Sequence, residues 1–454
     1  MVMRTGMVMR AGSGSCWLAA VAAAGFLSSV GAARAADETT LKQLETRAAA
    51  ELPKMVAWRR DIHAHPELSG QEVRTAKLVA DHLRGLGMEV RTGVGGTGVV
   101  ALLKGGKPGN RVIALRADMD ALPVQERTGL PFASKVTARN FGKDTPVMHA
   151  CGHDGHTAIL MGVAEMLAGM RSEFGGTVKF IFQPAEEGRS EHPADPNAPF
   201  GAKAMIADGA LDKPKVDAIF GLHLAPGPSV GSVGYRVGSM MAGADGFRIK
   251  VTGRQTHGSR PWDGVDPIAA SAQIINGLQT IVSRQLNISK APVVVTIGAI
   301  NGGNRENIIP DTVEMLGTLR TFDNAVRNDA KKRITLTAQS IAAASGATAE
   351  VSFTSVAYPP TVNPHPLSAQ AVPVLNAVTG GKAIVIPLVS GSEDFSDYQL
   401  AVPGFFFILG APPKGKTTAT AAPNHSPLFD FDEDAMAIGA RALSALALDQ
   451  LARQ

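Results

Sequence analysis

The residues most able to do chemistry in this chain are concentrated in the short segment Met148–His156, which contains one cysteine, three histidines and an aspartate. Cys151 and His153 stand two positions apart, so an extended backbone would place both side chains on one side, within reach of one metal ion. Of the two cysteines in the chain, Cys151 is the one outside the N-terminal region. A lone thiol among histidines is typical of a metal ligand or of a nucleophile, and this segment leaves both open.

Three residues elsewhere in the chain extend this set of metal-binding side chains. Glu187 follows the predicted strand 178–182, His223 lies at the end of the predicted strand 218–224, and His425 lies near the C-terminus. Catalytic groups in α/β sheets gather at strand ends. Thiolate, imidazole and carboxylate together suit zinc, with cobalt or manganese as alternatives. Five such ligands exceed the needs of one tetrahedral zinc, so the sequence favours two divalent metal ions.

The first 35 residues have the pattern of a secretory signal peptide. Arg4 and Arg10 give a positive start, the apolar run 16–30 is too short to span a bilayer comfortably, and Ala33-Arg34-Ala35 fits a cleavage site. We therefore expect residues 1–35 to be removed and the mature protein to be periplasmic. Cleavage would lower the net charge from +4 to +1, which argues against nucleic acid or an anionic membrane as a partner.

The remaining chain is long enough for two domains, and its patterns divide it accordingly. Residues 38–239 and 354–454 alternate apolar strand-like runs with helical spacing, which predicts an α/β catalytic domain built in two parts. Residues 240–353 have a pattern of their own, with the order β-α-β-β-α-β, which is that of a ferredoxin-like unit. We therefore predict an inserted domain between the two parts.

Two glycine-rich loops in the first part do not indicate nucleotide binding. The glycines of 93–98 are followed by a strand-like run rather than by a helix, unlike a dinucleotide-binding loop. The loop 104–110 lacks the spacing of a phosphate-binding loop and is predicted to join its flanking strands as a hairpin.

Taken together, the motifs resemble the aminoacylase-type metallopeptidases, in the branch that contains hippurate hydrolase and the indole-acetyl-amino-acid hydrolases. The resemblance covers about residues 55–440, and no single motif would carry it. The matching blocks are Leu115–Pro123, Met148–His156, Gln183–Gly188, Gly221–His223, Asn307–Asp311, Gly317–Phe322, Gly391–Phe395 and His425.

This resemblance implies a mixed-sheet zinc-peptidase fold and a two-metal hydrolase of N-acyl amino acids. The two metals would be held by five residues, which are Cys151, His153, Glu187, His223 and His425. A metal-bound hydroxide would attack the amide, with Glu186 as the general base that passes a proton to the leaving amine. Cys151 would then be a ligand, since metal hydrolysis needs no covalent intermediate.

The resemblance also implies roles for the inserted domain as a lid and as the contact of a homodimer. His257 would stabilise the tetrahedral oxyanion, commonly in the partner subunit's site. Asn307 and Arg320 would bind the substrate carboxylate. The segment 253–262 departs from the more usual glycine-rich form, which puts substrate identity in doubt rather than the chemistry.

From its place in an apolar strand, we predict that Asp118 orients a ligand histidine, with His153 as the expected partner; the alternative is a capping or turn aspartate.

Three alternative functions remain. A carboxypeptidase or dipeptidase would share the scaffold and differ in the acyl side of its substrate. A non-catalytic periplasmic binding protein would be expected to lack a ligand or Glu186, and all are present. A cysteine hydrolase would use Cys151 as its nucleophile.

Overall fold

The computed structural model describes residues 38–195 and 198–453. The predicted signal peptide, residues 1–35, lies outside the described residues. Within these ranges no helix is both long enough and apolar enough to cross a membrane.

Nine helices form in the described chain, in addition to short helical turns at Arg171–Glu173, Pro261–Asp263 and Ile281–Gln285. The helices are α1 (Glu38–Ala64), α2 (Val73–Gly85), α3 (His153–Ala168), α4 (Gly201–Ala207), α5 (Pro267–Thr280), α6 (Asn324–Ala344), α7 (His365–Thr379), α8 (Phe395–Ala401) and α9 (Ala435–Leu451).

The described chain also contains eighteen strands. The strands are β1 (Glu89–Val94), β2 (Gly98–Lys104), β3 (Lys107–Asp118), β4 (Thr137–Asn140), β5 (Lys143–Pro146), β6 (Gly175–Gln183), β7 (Ala218–Ala225), β8 (Val233–Tyr235), β9 (Gly238–Met241), β10 (Gly243–Thr252), β11 (Thr256–His257), β12 (Val293–Gly302), β13 (Ile308–Ile309), β14 (Thr312–Thr321), β15 (Thr348–Tyr358), β16 (Thr361–Asn363), β17 (Ala383–Val385) and β18 (Gly404–Gly410).

The large sheet has eight strands in the order β1-β2-β6-β3-β7-β18-β8-β17. Its middle strands β6, β3, β7 and β18 are parallel neighbours, whereas β1, β2 and β6 pair antiparallel. Every residue of β18 is buried, as expected for a strand covered on both faces. Helices α1, α3, α7 and α9 share one hydrophobic cluster with this sheet, and α4 and α8 contribute to a second one. The predicted mixed-sheet α/β fold is thus confirmed.

The predicted hairpin between β2 and β3 is wrong. Strand β6 lies between them and pairs with both, antiparallel to β2 and parallel to β3. From Val178 onward β6 is wholly buried, so its backbone groups need a partner strand on each side. The connection instead follows the start of β6, where Gly105 N donates to Gly176 O at 2.8 Å.

The small sheet has four antiparallel strands in the order β12-β14-β10-β15, and α5 and α6 pack on one of its faces. The order of its elements along the chain is the β-α-β-β-α-β order that the sequence predicts. Its last strand extends beyond the predicted end at Phe353, to Tyr358. That extension places Tyr358 beside the large sheet, where its hydroxyl contacts the backbone of Glu186.

Candidate metal centre

Three neighbouring strands of the large sheet bring polar residues to one edge. Strands β6, β3 and β7 are parallel and adjacent, so their carboxyl ends lie together. Asp118 is the last residue of β3, Glu186 follows β6, and His223 lies near the end of β7. The strand-end placement predicted from the sequence is therefore observed, and this edge is where ligands bind in α/β sheets.

Cys151 and His153 converge by a turn rather than by the extended backbone that the sequence predicted. Gly152 has φ 97°, a left-handed conformation that favours glycine, and a Cβ there would lie 3.2 Å from Leu224 Cβ. His153 then begins α3. Thr157 lies inside α3, where its hydroxyl donates to Asp118 O at 2.8 Å.

His425 reaches the same place from the far end of the chain. Its backbone N–H donates to Ala150 O at 2.7 Å, and its φ of 70° is unusual for a residue other than glycine. The neighbouring Asn424 side chain donates to Cys151 O at 3.0 Å and to Leu224 O at 3.1 Å. These bonds attach the C-terminal loop to the segment that carries the cysteine.

The five predicted ligands meet in overlapping groups. The ligand atoms of Cys151, His153 and His223 lie within 4.8 Å of one another, and so do those of Cys151, Glu187 and His425. Cys151 Sγ is 3.3 Å from His223 Nε2, and His425 Nε2 is 3.1 Å from Glu187 Oε1. Two three-ligand groups that share one thiol are the arrangement expected for two ions with a common ligand.

The chemistry of these atoms fits divalent cations. His153 Nε2 is fully buried and has no hydrogen-bond partner among the described residues, which is costly unless a ligand occupies that position. Its Nδ1 contacts Asp120, so Nε2 is left to point at the centre. Burial disfavours a charged ring, yet Asp118 and Asp120 raise the pKa of His153 to about 10. The negative charge of these carboxylates would be balanced by bound divalent cations.

The pKa shift of His223 agrees with a ligand role, and that of Cys151 argues against a nucleophile. Burial, reinforced by His156, lowers the pKa of His223 well below its ordinary value, which leaves a neutral imidazole with a free lone pair. Its Nδ1 contacts Leu224 O at 2.8 Å, which turns Nε2 toward Cys151. Burial together with Glu187 raises the pKa of the Cys151 thiol. A nucleophilic cysteine would need the opposite shift.

Glu186 is the buried carboxylate beside these ligands. Burial and the neighbouring Glu393 raise its pKa well above the ordinary value, which makes it a stronger base than an exposed glutamate. It follows Ala185, whose φ is 54°. The Glu72 carboxylate accepts the Ala185 N–H at 2.9 Å and thereby supports this turn.

The predicted partner of Asp118 is corrected by the structure. Asp118 Oδ1 contacts His156 Nδ1 at 2.6 Å, whereas it lies 3.8 Å from His153 Nε2. The residue that contacts His153 Nδ1 is Asp120, through its carbonyl oxygen at 2.9 Å and its Oδ1 at 3.2 Å. The reason is geometric, because Asp120 lies beyond the end of β3 and its backbone turns toward the first residue of α3.

Sequence reasoning missed a buried ionic network behind the site. Arg116 is buried and donates to Asp118 Oδ2 at 2.6 Å and to Asp394 Oδ1 at 2.8 Å, and it lies 3.0 Å from Glu393 Oε1. These residues belong to the blocks 115–123 and 391–395. A signal was therefore present, since a charged residue within an apolar strand is seldom fully buried unless it is paired.

The predicted substrate-binding residues, Asn307 and Arg320, and the predicted oxyanion-stabilising His257 lie in two separate places. Arg320 lines the cavity at the site, and its Nη1 donates to Ser392 Oγ at 3.3 Å. His257 and Asn307 are exposed on the segments of β11 and β13, which pair with each other, and neither is among the described residues that line the cavity. Their predicted contact with an active site, in the partner subunit, is not made within this chain.

The cavity has a volume of about 780 Å³. Cys151, Glu186, Glu187, His223 and His425 line one part of it. The segment 384–389, with Met241 and Ile408, forms an aliphatic wall. The site can therefore place an amide beside the metal ligands, with a carboxylate at Arg320 and an apolar group against the wall.

Comparison with known proteins agrees with this geometry. Residues 114–449 match "Peptidase family M20/M25/M40". The chain is 41% identical to thermostable carboxypeptidase 1 of Saccharolobus solfataricus, over 86% of this chain and 93% of the relative. It is 38% identical to IAA-amino acid hydrolase ILR1-like 2 of Arabidopsis thaliana, over 92% and 90%.

Among solved structures, the YXEP protein of Bacillus subtilis, described as a dinuclear metal binding peptidase from the M20 family, superposes with a TM-score of 0.73. That protein is 38% identical, over 89% of this chain and 99% of its own. The resemblance predicted from the sequence is thereby confirmed. The chain belongs to peptidase family M20/M25/M40 and is a metal-dependent hydrolase of amide bonds.

Proposed function

We propose that this protein hydrolyses the amide bond of N-acyl amino acids. The observation that carries this proposal is that a single cavity is lined both by metal ligands with Glu186 and by Arg320. Metal ions held by these ligands, together with the Glu186 carboxylate, are suited to amide hydrolysis. The Arg320 guanidinium is suited to a substrate carboxylate.

The metal ions would be held by Cys151, His153, Glu187, His223 and His425, with zinc proposed from the mixed sulfur, nitrogen and oxygen donors and manganese or cobalt as alternatives. When bound, such a pair lowers the pKa of water and polarises a carbonyl. The protein's own part is to place the amide and to move protons.

Glu186 is the residue proposed to move those protons. Its carboxylate removes a proton from the attacking water and delivers it to the nitrogen of the leaving amine. A raised pKa matches this task, because the same group must accept and then release the proton.

Arg320 is proposed to bind the carboxylate of the amino-acid part, held in place by Ser392. Asn307 and His257 are proposed to act in the site of a second copy of this chain, with His257 stabilising the oxyanion and Asn307 contacting the carboxylate. These roles require a homodimer through the small sheet, which would then act as a lid. Separately, the signal-peptide pattern of residues 1–35 is the basis for proposing that the protein acts in the periplasm.

A carboxypeptidase or dipeptidase activity is the second candidate, and the 41% identity to a carboxypeptidase supports it. The aliphatic wall favours the N-acyl substrate. A dipeptide brings a free ammonium, for which segment 384–389 offers no acidic side chain, whereas an acyl group buries apolar area there.

The test is a panel of N-acetyl, N-benzoyl and N-indole-acetyl amino acids and dipeptides, assayed on metal-reconstituted protein and again after chelation. We expect the acyl substrates to be preferred and all turnover to stop on chelation. Glu186→Gln should reduce turnover roughly 10²–10⁴-fold with the metal content unchanged. Wild-type turnover of that variant with metals bound would rule out Glu186 as the base, and a clear preference for dipeptides would favour the second candidate.

A further inference from the structure

Tyr358, at the end of β15, joins the small sheet to the turn that carries Glu186. Its hydroxyl donates to the backbone carbonyl oxygen of Glu186 at 2.8 Å. Its side chain also lines the cavity. Burial and the charge of Glu186 raise its pKa well above the ordinary value, so the phenol remains a hydrogen-bond donor.

The position of Tyr358 is set by the register of the small sheet. Ala244 of β10 pairs with Arg320 on β14 and with Tyr358 on β15. Residues opposite one another on neighbouring strands face the same side, and two strand spacings amount to roughly 10 Å. One cross-strand row therefore presents the guanidinium of Arg320 and the phenol of Tyr358 to the same cavity, with a small alanine between them.

A second contact holds the end of β15 against the large sheet's side of the cavity. Lys203 of α4 donates from Nζ to Ala357 O at 2.6 Å. Tyr358 thus emerges from an anchored strand end, and its hydroxyl is a fixed point rather than the tip of a mobile side chain.

The carbonyl that Tyr358 binds belongs to a turn with unusual backbone geometry. Ala185, directly before Glu186, has φ 54°, a conformation that persists when its surroundings hold it. The Glu186 carboxylate itself receives one long bond, from Asp394 N at 3.3 Å. The hydroxyl of Tyr358 therefore restrains the peptide between Glu186 and Glu187 and so the direction of both side chains.

We propose that Tyr358 is a positioning residue for the general base, holding Glu186 at the angle from which it reaches the reacting water and the leaving nitrogen. This inference rests on the proposed role of Glu186. It assigns separate tasks to the two ends of the cross-strand row, since Arg320 binds the substrate and Tyr358 orients the base.

The test compares Tyr358→Phe with Tyr398→Phe. The hydroxyl of Tyr398 is buried with no hydrogen-bond partner among the described residues, so its removal is a matched control. We expect Tyr358→Phe to lower kcat about tenfold with little change in KM, because a displaced catalytic group costs turnover. Metal content should match that of Tyr398→Phe, and both variants should remain folded at the assay temperature. The same reduction in kcat is expected for an N-acyl amino acid and for the corresponding compound in which a carboxamide replaces the carboxylate.

A kcat for Tyr358→Phe within about twofold of the control, or a loss confined to KM, would overturn the proposal. If Tyr358→Phe does not fold, Lys203→Met releases the same strand end and should lower kcat in the same direction, whereas an unchanged kcat would contradict the proposal. Glu186→Gln distinguishes the role of Tyr358 from the role of Glu186. An inactive Glu186→Gln beside a fully active Tyr358→Phe refutes this inference alone, an active Glu186→Gln refutes the role of Glu186 on which the inference rests, and failure of all N-acyl substrates in wild-type protein refutes the proposed function.

Discussion

Asp120 and His153 are in direct contact, with His153 Nδ1 lying 2.9 Å from the carbonyl oxygen and 3.2 Å from Oδ1 of Asp120. The other carboxylate oxygen of Asp120 accepts the backbone N–H of Glu187 at 2.9 Å. One aspartate thus contacts two proposed metal ligands that come from different parts of the fold.

Replacing Asp120 by alanine is expected to weaken metal binding roughly 10- to 100-fold, because partners that orient ligands typically contribute that much. Metal affinity can be measured by competition with a chelator. Asp144→Ala is the control, since Asp144 is exposed and pairs with the exposed Arg139. Unchanged affinity in Asp120→Ala would show that the backbone carbonyl is sufficient to orient His153.

Removal of the Arg320 guanidinium is expected to affect substrate binding more than turnover. Arg320→Met should raise KM for an N-acyl amino acid by roughly ten- to a hundredfold, since a hydrogen bond to a charged group contributes about 1.5–3 kcal/mol. KM for the corresponding amide substrate should change little. Steady-state kinetics on the two substrates checks this, with Arg248→Met as a control on an exposed arginine of the same sheet. Equal effects on both substrates would disprove the carboxylate contact.

Cys151 is expected to resist alkylation while the metals are bound. Its side chain is buried and burial raises its pKa, and a ligated thiolate is not free to attack a reagent. Iodoacetamide should therefore leave the metal-loaded protein active, whereas chelation should inactivate it. Activity that survives chelation but is abolished by iodoacetamide would restore the cysteine-hydrolase alternative.

His63 is expected to make stability depend on pH. Its ring is buried, which disfavours the charged form, but contacts with Asp154 at 2.8 Å and Glu126 at 3.2 Å raise its pKa to about 9. A folded-state pKa above the unfolded value of about 6.5 stabilises the fold fully below pH 6.5, and this contribution is lost as the pH rises through 9. The contribution can reach about 3 kcal/mol.

The measurement is urea unfolding of the metal-free protein at pH 6.5 and pH 9, for the wild type and His63→Gln. The difference in the free energy of unfolding should shrink between the two pH values. His65→Gln is the matched control, since His65 is exposed and lies in the same segment. A difference that stays constant with pH would show that His63 is neutral in the folded protein.

Much of the site could be predicted from residue types alone. Cys151, His153, Glu187, His223 and His425 have side chains of types that bind metal ions, and the structure brings them together. The expected role of Glu186 as the base came instead from the resemblance to a known family. The β-α-β-β-α-β order of the small sheet could be predicted too, because period-2 and period-3.6 patterns are local properties of a sequence.

Local pattern could not decide which groups meet. The contact of His156 with Asp118 and that of His153 with Asp120 depend on where α3 begins, which the left-handed Gly152 determines. The hairpin prediction failed because strand pairing depends on contacts between segments far apart in the sequence. Here β6 pairs with both β2 and β3 and lies between them.

The sequence by itself determined which side chains offer metal-binding donor atoms and the types of the secondary-structure elements, since each follows from side-chain chemistry or short-range periodicity, whereas Glu186 as the base came from the resemblance to a known family. Only the tertiary structure decided that Arg116 lies among Asp118, Glu393 and Asp394, that Tyr358 reaches Glu186, and that His257 and Asn307 lie away from the cavity. The physical reason is that burial and pairing between distant segments depend on how sheets and helices pack. The local sequence around a residue does not specify that packing.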